Sequence, residues 1–328
     1  MVEILHDNDA SLDYLKGKTV AVIGYGAQGR AQALCMHDSG VNVVVGLREN
    51  GKSWQQAKAD GMKVATIKEA ALQADIIHLL VPDEYHKEVY DNYIKGELKP
   101  GKTLSFSHGF NICFKRIIPP ENIDVVMIAP KAPGTEQRRI FLEGFGVPGL
   151  IAVKQDYSGN AKKIALSMAK AIGLTRAGVL ECTFEDETHE DLFGEQAVLC
   201  GGVTELMKTG FEVLVEKGYP PEMAYFECLH EMKLIIDLVQ KGGLVHMWDV
   251  VSNTAEYGGL TRGKRIITPE VKESMRKMLR EVEDGTFARE FVAEYEKGMT
   301  TLKKLREEEA NHPIEIVGRE IRALFKQK

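Results

Sequence analysis

Residues 20–29 read VAVIGYGAQG, a short apolar run that leads directly into a G-x-G-x-x-G pattern. Gly24 permits a tight turn, Gly26 lets a pyrophosphate approach the backbone, and Gly29 lets the next helix pack closely on the strand. A helix that begins here also offers free N–H groups to phosphates. The pattern predicts the first strand, turn and helix of a Rossmann-like domain. The cofactor-binding residues predicted in the turn are Gly24, Tyr25, Gly26, Ala27, Gln28 and Gly29.

Short β-branched runs alternate with helical stretches, such as Ala27–Ser39 and Ser53–Asp60, through residues 1–182. Most of these runs are continuously apolar, which is typical of strands covered on both faces of a parallel sheet. The predicted strands are Thr19–Ile23, Val41–Gly46, Asp75–Val81, Lys102–Ser107, Asp124–Ala129 and Gly149–Val153. The alternation predicts an α/β domain with a doubly wound parallel sheet.

Residues 183–328 show a helical period instead and contain no strand pattern of comparable quality. The predicted helices are Asp191–Lys217, Pro221–Lys241, Pro269–Asp284, Phe287–Arg306 and Ile314–Lys326, separated by Gly and Pro punctuation. We therefore expect a second, all-α domain.

Charge and composition narrow the class of protein. The chain has 328 residues with 42 Lys and Arg against 48 Asp and Glu, a net charge of −6, which argues against nucleic-acid or anionic-membrane partners held by bulk charge. No apolar run approaches the roughly 18 residues of a membrane span, and the acidic start differs from a secretory signal. The five cysteines are scattered without a C-x-x-C pair, which predicts reduced thiols in a cytoplasmic protein.

The end of the second predicted strand selects the cofactor. Arg48 and Lys52 supply positive charge there, and Ser53 stands at the edge of the next helix, so we expect a 2′-phosphate and hence NADPH. Glu49 does not fit this pattern, and two interpretations of it stay open: it pairs with Arg48 or Lys52 on the surface, or it allows NADH to bind. Asp83 and Gly134 complete the predicted cofactor site.

Two acidic pairs stand in apolar surroundings of the helical half. Asp191 and Glu195, like Glu227 and Glu231, are spaced i, i+4, so each pair lies on one helix face. Such pairs are common on solvated faces, but two of them beside a dinucleotide domain favour a site for Mg²⁺, and four carboxylates suffice to bridge two ions.

Two further polar residues follow predicted strands. His108 ends the fourth strand and Lys131 follows the fifth, at the sheet edge where open α/β sheets bind ligands. Either side chain is able to hydrogen-bond a substrate oxygen, and we take both as candidate catalytic residues.

These motifs resemble those of the ketol-acid reductoisomerases (acetohydroxyacid isomeroreductases) of the short class I form, over essentially the whole chain. The matching segments are residues 24–29, 108–112, 129–134, 191–196, 225–233 and 252–258. The resemblance implies a knotted helical domain and a homodimer with shared active sites, with higher oligomers open. It also implies Asp191 and Glu195 as ligands of two Mg²⁺ ions, and Ser252 as a contact of the substrate carboxylate.

The same resemblance implies that Glu227 and Glu231 come from the partner subunit, and that His108 and Lys131 line the cleft. The implied reaction is alkyl migration in 2-acetolactate or 2-aceto-2-hydroxybutyrate, followed by hydride transfer from NADPH, in valine, isoleucine and leucine biosynthesis. Two alternatives stay open at this point: a metal-free β-hydroxyacid dehydrogenase, and a non-catalytic NADP-binding sensor.

Overall fold

The computed structural model describes residues 3–325, so the end of the predicted helix Ile314–Lys326 lies outside the described residues. The chain divides into two compact units, Met1–Glu190 and Asp191–Lys328. The division lies eight residues beyond the boundary that the sequence predicts, residues 182 and 183.

The first unit is built on a nine-stranded sheet with the order β1-β9-β8-β7-β6-β5-β2-β3-β4. The strands are β1 (Ile4–Leu5), β2 (Thr19–Ile23), β3 (Asn42–Leu47), β4 (Lys63–Thr66), β5 (Ile76–Leu79), β6 (Thr103–Phe106), β7 (Asp124–Pro130), β8 (Gly149–Gln155) and β9 (Val179–Cys182). The six neighbouring strands β7-β6-β5-β2-β3-β4 are all parallel. The chain adds β3 and β4 on one side of β2 and then continues with β5 on the other side, so the order of strands switches between β2 and β5. This order confirms the Rossmann-like prediction.

Two strand pairings at one side of the predicted parallel sheet are antiparallel. β8 pairs antiparallel with β7, and β1 pairs antiparallel with β9. The sequence pattern also missed β1, β4 and β9. β1 has only two residues, and polar residues such as Lys63 in β4 and Glu181 in β9 interrupt the apolar run.

Burial on both faces of the sheet is visible within a single strand. Val20 and Val22 pack in one apolar cluster while Ala21 and Ile23, which point the other way, pack in a second cluster. Helices cover both faces, which is why β2 is continuously apolar from Val20 to Ile23. The helices of this unit are α1 (Ala27–Asp38), α2 (Lys52–Ala59), α3 (Ile67–Gln73), α4 (Asp83–Val89), α5 (Phe110–Cys113), α6 (Gly134–Leu142), α7 (Ala161–Ala171), α8 (Leu174–Ala177) and the start of α9 (Phe184–Gly194).

The described part of the second unit is helical, as predicted. It contains α10 (Gly201–Glu216), α11 (Pro221–Tyr225), α12 (Met232–Val250), α13 (Asn253–Ile266), α14 (Pro269–Glu283), α15 (Thr286–Glu296), α16 (Thr300–Asn311) and α17 (Pro313–Leu324). The prediction missed α13 and joined α15 to α16, which a left-handed residue, Met299, separates.

The second unit has a small core that centres on Phe211, Tyr225 and Ile321. Many apolar side chains of α12 and α13 are exposed, including Val245 at 73% and Tyr257 at 68%. All five cysteines are free, as the sequence predicts. Among the described residues, no helix is both long and apolar enough to cross a membrane.

Candidate active site

The glycine-rich turn has the geometry that its spacing predicts. Gly24 has a φ of +105°, and a Cβ there would lie 2.7 Å from the Leu80 carbonyl oxygen. A Cβ on Gly29 would lie 2.5 Å from the Gly24 oxygen, so α1 approaches β2 only because residue 29 is glycine. A Cβ on Gly26 would meet no atom within 4 Å, which leaves the turn open to a phosphate ahead of the α1 N-terminus. The turn therefore fits a dinucleotide.

The predicted specificity residues surround the N-terminus of α2. Arg48 is exposed beyond β3, while Lys52 and Ser53 form the exposed first turn of the helix. Within the described part of the chain, Glu49 makes no ion pair or hydrogen bond, so the surface pairing with Arg48 or Lys52 that the sequence left open is not formed. Free helical N–H groups and two cations favour an anion at this position.

Asp83 and Gly134 occupy structural positions at the same edge of the sheet. Asp83 opens α4 and accepts the Asn111 side-chain amide at its backbone oxygen, 3.0 Å away. Gly134 opens α6, and a Cβ there would lie 2.2 Å from the Ala27 carbonyl oxygen. Its observed role is thus the close packing of α6 on the glycine-rich turn.

Three side chains meet where β6 and β7 end. Glu187 on α9 is 1% exposed, and its two oxygens accept from Lys131 Nζ and from the Gly109 N–H, both at 3.2 Å. His108 Nδ1 accepts the Phe110 N–H at 3.0 Å, so the neutral ring carries its hydrogen on Nε2. A buried carboxylate requires such partners, because an unpaired buried charge is very costly.

Gly109 brings α9 to this position. A Cβ on residue 109 would lie 2.2 Å from Thr188 Oγ1 and 2.9 Å from the Phe184 carbonyl oxygen, so any side chain would displace the first turns of α9. The glycine after His108 therefore determines that Glu187 reaches the strand ends.

The acidic face of α9 continues beyond Glu187. His108 and Glu187 offer ligand atoms within 4.8 Å of each other, and Asp191, one turn further along the same helix, is grouped with them. Glu195 follows at the same spacing and opens a π-helical segment, Glu195–Leu199. Oxygen donors on successive turns suit a hard divalent cation such as Mg²⁺. π-Helical segments are frequent at functional sites.

The second acidic pair is not part of this group. Glu227 lies in another π-helical segment, Phe226–His230, and Glu231 follows it; both are exposed. Neither belongs to the His108–Glu187–Asp191 group, which is the cluster of potential metal ligands found among the described residues. Ser252 is exposed and caps α13, where its Oγ accepts the Ala255 N–H at 3.2 Å and keeps its own hydrogen available for donation.

Glu187 is the site residue that sequence reasoning missed. Its signal was present, because Glu187, Asp191 and Glu195 form a series with a spacing of four residues. A series of three acids on one helix face repels itself more than a pair does, and so favours a functional role more strongly.

Comparison with known proteins decides the family. Residues 14–178 match the model of the acetohydroxy acid isomeroreductase NADPH-binding domain, and residues 184–327 match that of the ketol-acid reductoisomerase C-terminal domain. The chain belongs to the ketol-acid reductoisomerase family. It is therefore an enzyme, an oxidoreductase with an isomerase step that acts on small molecules in branched-chain amino-acid biosynthesis.

Individual ketol-acid reductoisomerases align over their full length. A ketol-acid reductoisomerase (NAD(+)) of an uncultured archaeon is 60% identical and covers 100% of both chains. A ketol-acid reductoisomerase (NADP(+)) of Akkermansia muciniphila is also 60% identical, over 99% of this chain and 100% of its own. An NADH-preferring ketol-acid reductoisomerase of an uncultured archaeon has a solved structure that is 61% identical, with a TM-score of 0.97, over 99% of this chain and 100% of its own. These matches exclude the β-hydroxyacid dehydrogenase and the non-catalytic sensor.

Proposed function

We propose that the chain converts 2-acetolactate, or its homologue 2-aceto-2-hydroxybutyrate, into the 2,3-dihydroxy acid in the cytoplasm, with Mg²⁺ and NADPH. The observation that carries the proposal is the cluster of His108, Lys131 and Glu187 at the strand ends, from which α9 leads to Asp191 and Glu195. Family membership supports the same reaction.

The carboxylates are proposed to hold the metal. Asp191 and Glu195 supply oxygen donors from one subunit, and Glu227 and Glu231, exposed and outside the cluster, supply them to the partner's site. When bound, Mg²⁺ stabilises negative charge on the adjacent substrate oxygens during alkyl migration.

The polar residues are proposed to orient the substrate and to hold protons at defined atoms. Glu187 fixes Lys131 Nζ at 3.2 Å and keeps it as a donor towards a substrate oxygen. His108 presents its Nε2 hydrogen because Nδ1 is occupied. The hydroxyl hydrogen of Ser252 suits a substrate carboxylate, because its Oγ already serves as an acceptor.

NADPH is proposed as the preferred cofactor. The 2′-phosphate would be bound at the α2 N-terminus by Arg48, Lys52 and Ser53. Bound NADPH supplies the hydride. Glu49, which has no partner among the described residues, supports NADH instead. Of the two relatives at 60% identity, one is named for NAD(+) and the other for NADP(+), so sequence identity alone does not distinguish NADH from NADPH.

We also propose a homodimer in which the two halves of each chain have different roles. Residues 1–182 bind the dinucleotide, and residues 183–328 supply the metal ligands and the dimer contacts. The small core of the second unit and its exposed apolar residues, such as Leu244 and Val245, support a partner chain on this unit.

Steady-state turnover of the purified full chain tests the proposal. With 2-acetolactate we expect NADPH oxidation and formation of the dihydroxy acid that require Mg²⁺, and slower oxidation of NADH. Turnover unaffected by removal of Mg²⁺ would contradict the metal site. Faster turnover with NADH would contradict the cofactor preference alone.

A further inference from the structure

A buried polar network runs beneath the glycine-rich turn. Gln32 on α1 and His78 on β5 are both 0% exposed. Gln32 Nε2 lies 2.9 Å from Ser107 Oγ and 3.1 Å from Gln28 Oε1, and Gln32 Oε1 lies 2.9 Å from His78 Nε2. Apolar side chains of similar size would fill this space at no polar desolvation cost, so the network needs a reason other than stability.

One backbone carbonyl sets the direction of these hydrogen bonds. Gln28 Nε2 donates to the Ala132 carbonyl oxygen at 2.9 Å, and that oxygen only accepts. Gln28 therefore presents its Oε1 to Gln32, and Gln32 must donate to it from Nε2. The Oε1 of Gln32 then faces His78, so His78 donates from Nε2.

His78 completes the chain of donors as a neutral ring. Its Nδ1 lies 2.9 Å from Ser105 Oγ, and because Nε2 holds the hydrogen, Nδ1 accepts the hydroxyl hydrogen of Ser105. Complete burial lowers the pKa of His78 to about 3, so the ring stays neutral at working pH. Each of the five hydrogen bonds in the network thus has one direction.

The ends of the network are next to the candidate catalytic residues. Ser107 immediately precedes His108, and Ala132 immediately follows Lys131. Gln32 is hydrogen-bonded directly to Ser107, and it is connected to Ala132 through Gln28. We propose that Gln32 is a positioning residue that holds the two strand ends, and with them His108 and Lys131, in a fixed relation to the glycine-rich turn. This inference rests on the proposed function of the site.

Gln32→Met tests the proposal, because methionine has a similar length and fills the space without directional hydrogen bonds. We expect kcat with acetolactate and NADPH to fall roughly 10–100-fold, the cost of a small misplacement of reacting groups. The KM for NADPH should change much less, because the glycines that contact the cofactor are untouched. Ser105→Ala is the matched control, because it removes the hydrogen bond from Ser105 to His78 and leaves every hydrogen bond of Gln32 in place. It should lower Tm and leave kcat near the wild-type value.

Two results would overturn the proposal: a folded Gln32→Met enzyme with wild-type kcat, or equal losses of kcat in Gln32→Met and Ser105→Ala. Should Gln32→Met fail to fold, Ser107→Ala removes only the bond beside His108 and should lower kcat in the same way; wild-type kcat there would also overturn it.

Nitrogen NMR of the histidine rings tests the network without activity. We expect His78 to show a protonated Nε2 and a bare Nδ1 across neutral pH, and the opposite tautomer would contradict the network. A chain that shows this tautomer and binds NADPH, yet never converts acetolactate, would contradict the proposed function instead.

Discussion

Glu187 shows how one residue joins separate parts of the candidate site. Its two oxygens bind the Lys131 ammonium and the Gly109 N–H, and its helix leads to Asp191 and Glu195. Because the carboxylate is buried, it is held by these partners and not by water. The position of Lys131 therefore depends on α9, and α9 depends on the glycine at position 109.

The metal assignment is tested at a single residue by Glu195→Gln, which keeps the shape and removes one negative charge. We expect turnover to fall roughly 100-fold or more, because the amide is a poor Mg²⁺ ligand, while NADPH binding stays intact. Turnover and NADPH fluorescence titration measure the two effects. The control is Glu205→Gln, an exposed carboxylate of α10 paired with Lys208, which should change neither. Wild-type turnover of Glu195→Gln at limiting Mg²⁺ would refute the assignment.

Asp60 at the end of α2 predicts a pH-dependent stability. Arg30 donates to it at 2.7 and 2.9 Å and Tyr25 at 2.9 Å, and the Arg30 bonds lower the pKa of Asp60 to about 2. Because the folded pKa lies below the ordinary value, the stabilisation is present above pH ~4 and is lost as pH falls towards ~2. Asp60→Asn should cost about 1 kcal/mol at pH ~7, and this cost should disappear as the pH falls below ~2.

Urea unfolding of wild type and Asp60→Asn across this pH range measures the difference in free energy of unfolding. Asp91→Asn removes an exposed carboxylate that pairs with Lys87 and should have little effect at any pH. A constant Asp60→Asn difference at all pH values would show that the charge of Asp60 is not the cause.

At the scale of elements, two π-helical segments interrupt helices that the sequence pattern predicts as continuous. Glu195–Leu199 lies within the predicted Asp191–Lys217 helix, and Phe226–His230 lies within the predicted Pro221–Lys241 helix. Each carries a predicted metal ligand. Apolar periodicity does not reveal such a segment, because the period is judged over roughly 11–18 residues whereas each π-helical segment has five.

The N-terminus of α2 is the element proposed to distinguish NADPH from NADH, and Ser53→Asp tests this role. A carboxylate there would repel the 2′-phosphate and accept the ribose hydroxyls, while a helix N-terminus tolerates it well. We expect the KM for NADPH to rise roughly tenfold or more and that for NADH to stay equal or fall. Steady-state kinetics with both cofactors measure this, with Ser53→Ala as the uncharged control. An unchanged KM for NADPH would contradict a phosphate at this helix end.

At the scale of the whole molecule, the proposed shared site predicts complementation between inactive subunits. Asp191→Asn and Glu227→Gln each remove one carboxylate from every site of their own homodimers. In a mixed dimer, one of the two sites would keep all four carboxylates, so activity should return to roughly a quarter of the wild-type level after random subunit exchange. No recovery, with exchange confirmed by mass spectrometry, would place all four ligands in one chain.

The sequence by itself determined the fold class of each half and the candidate chemistry. The glycine spacing in residues 24–29 requires positions without a Cβ, and the apolar strands require cover on both faces, so local sterics and burial were enough to predict the Rossmann-like half. The acidic pairs were visible for a similar reason, because helical spacing alone places them on one face.

Only the tertiary structure decided which of these residues meet. It placed Glu187 against Lys131, turned β8 antiparallel to β7, and connected Gln32 to the ends of β6 and β7. These contacts join residues that are distant in the chain, and no local pattern specifies them. They follow from packing: α9 can dock on the strand ends because residue 109 has no side chain, and the buried polar groups must find their partners wherever the fold brings them.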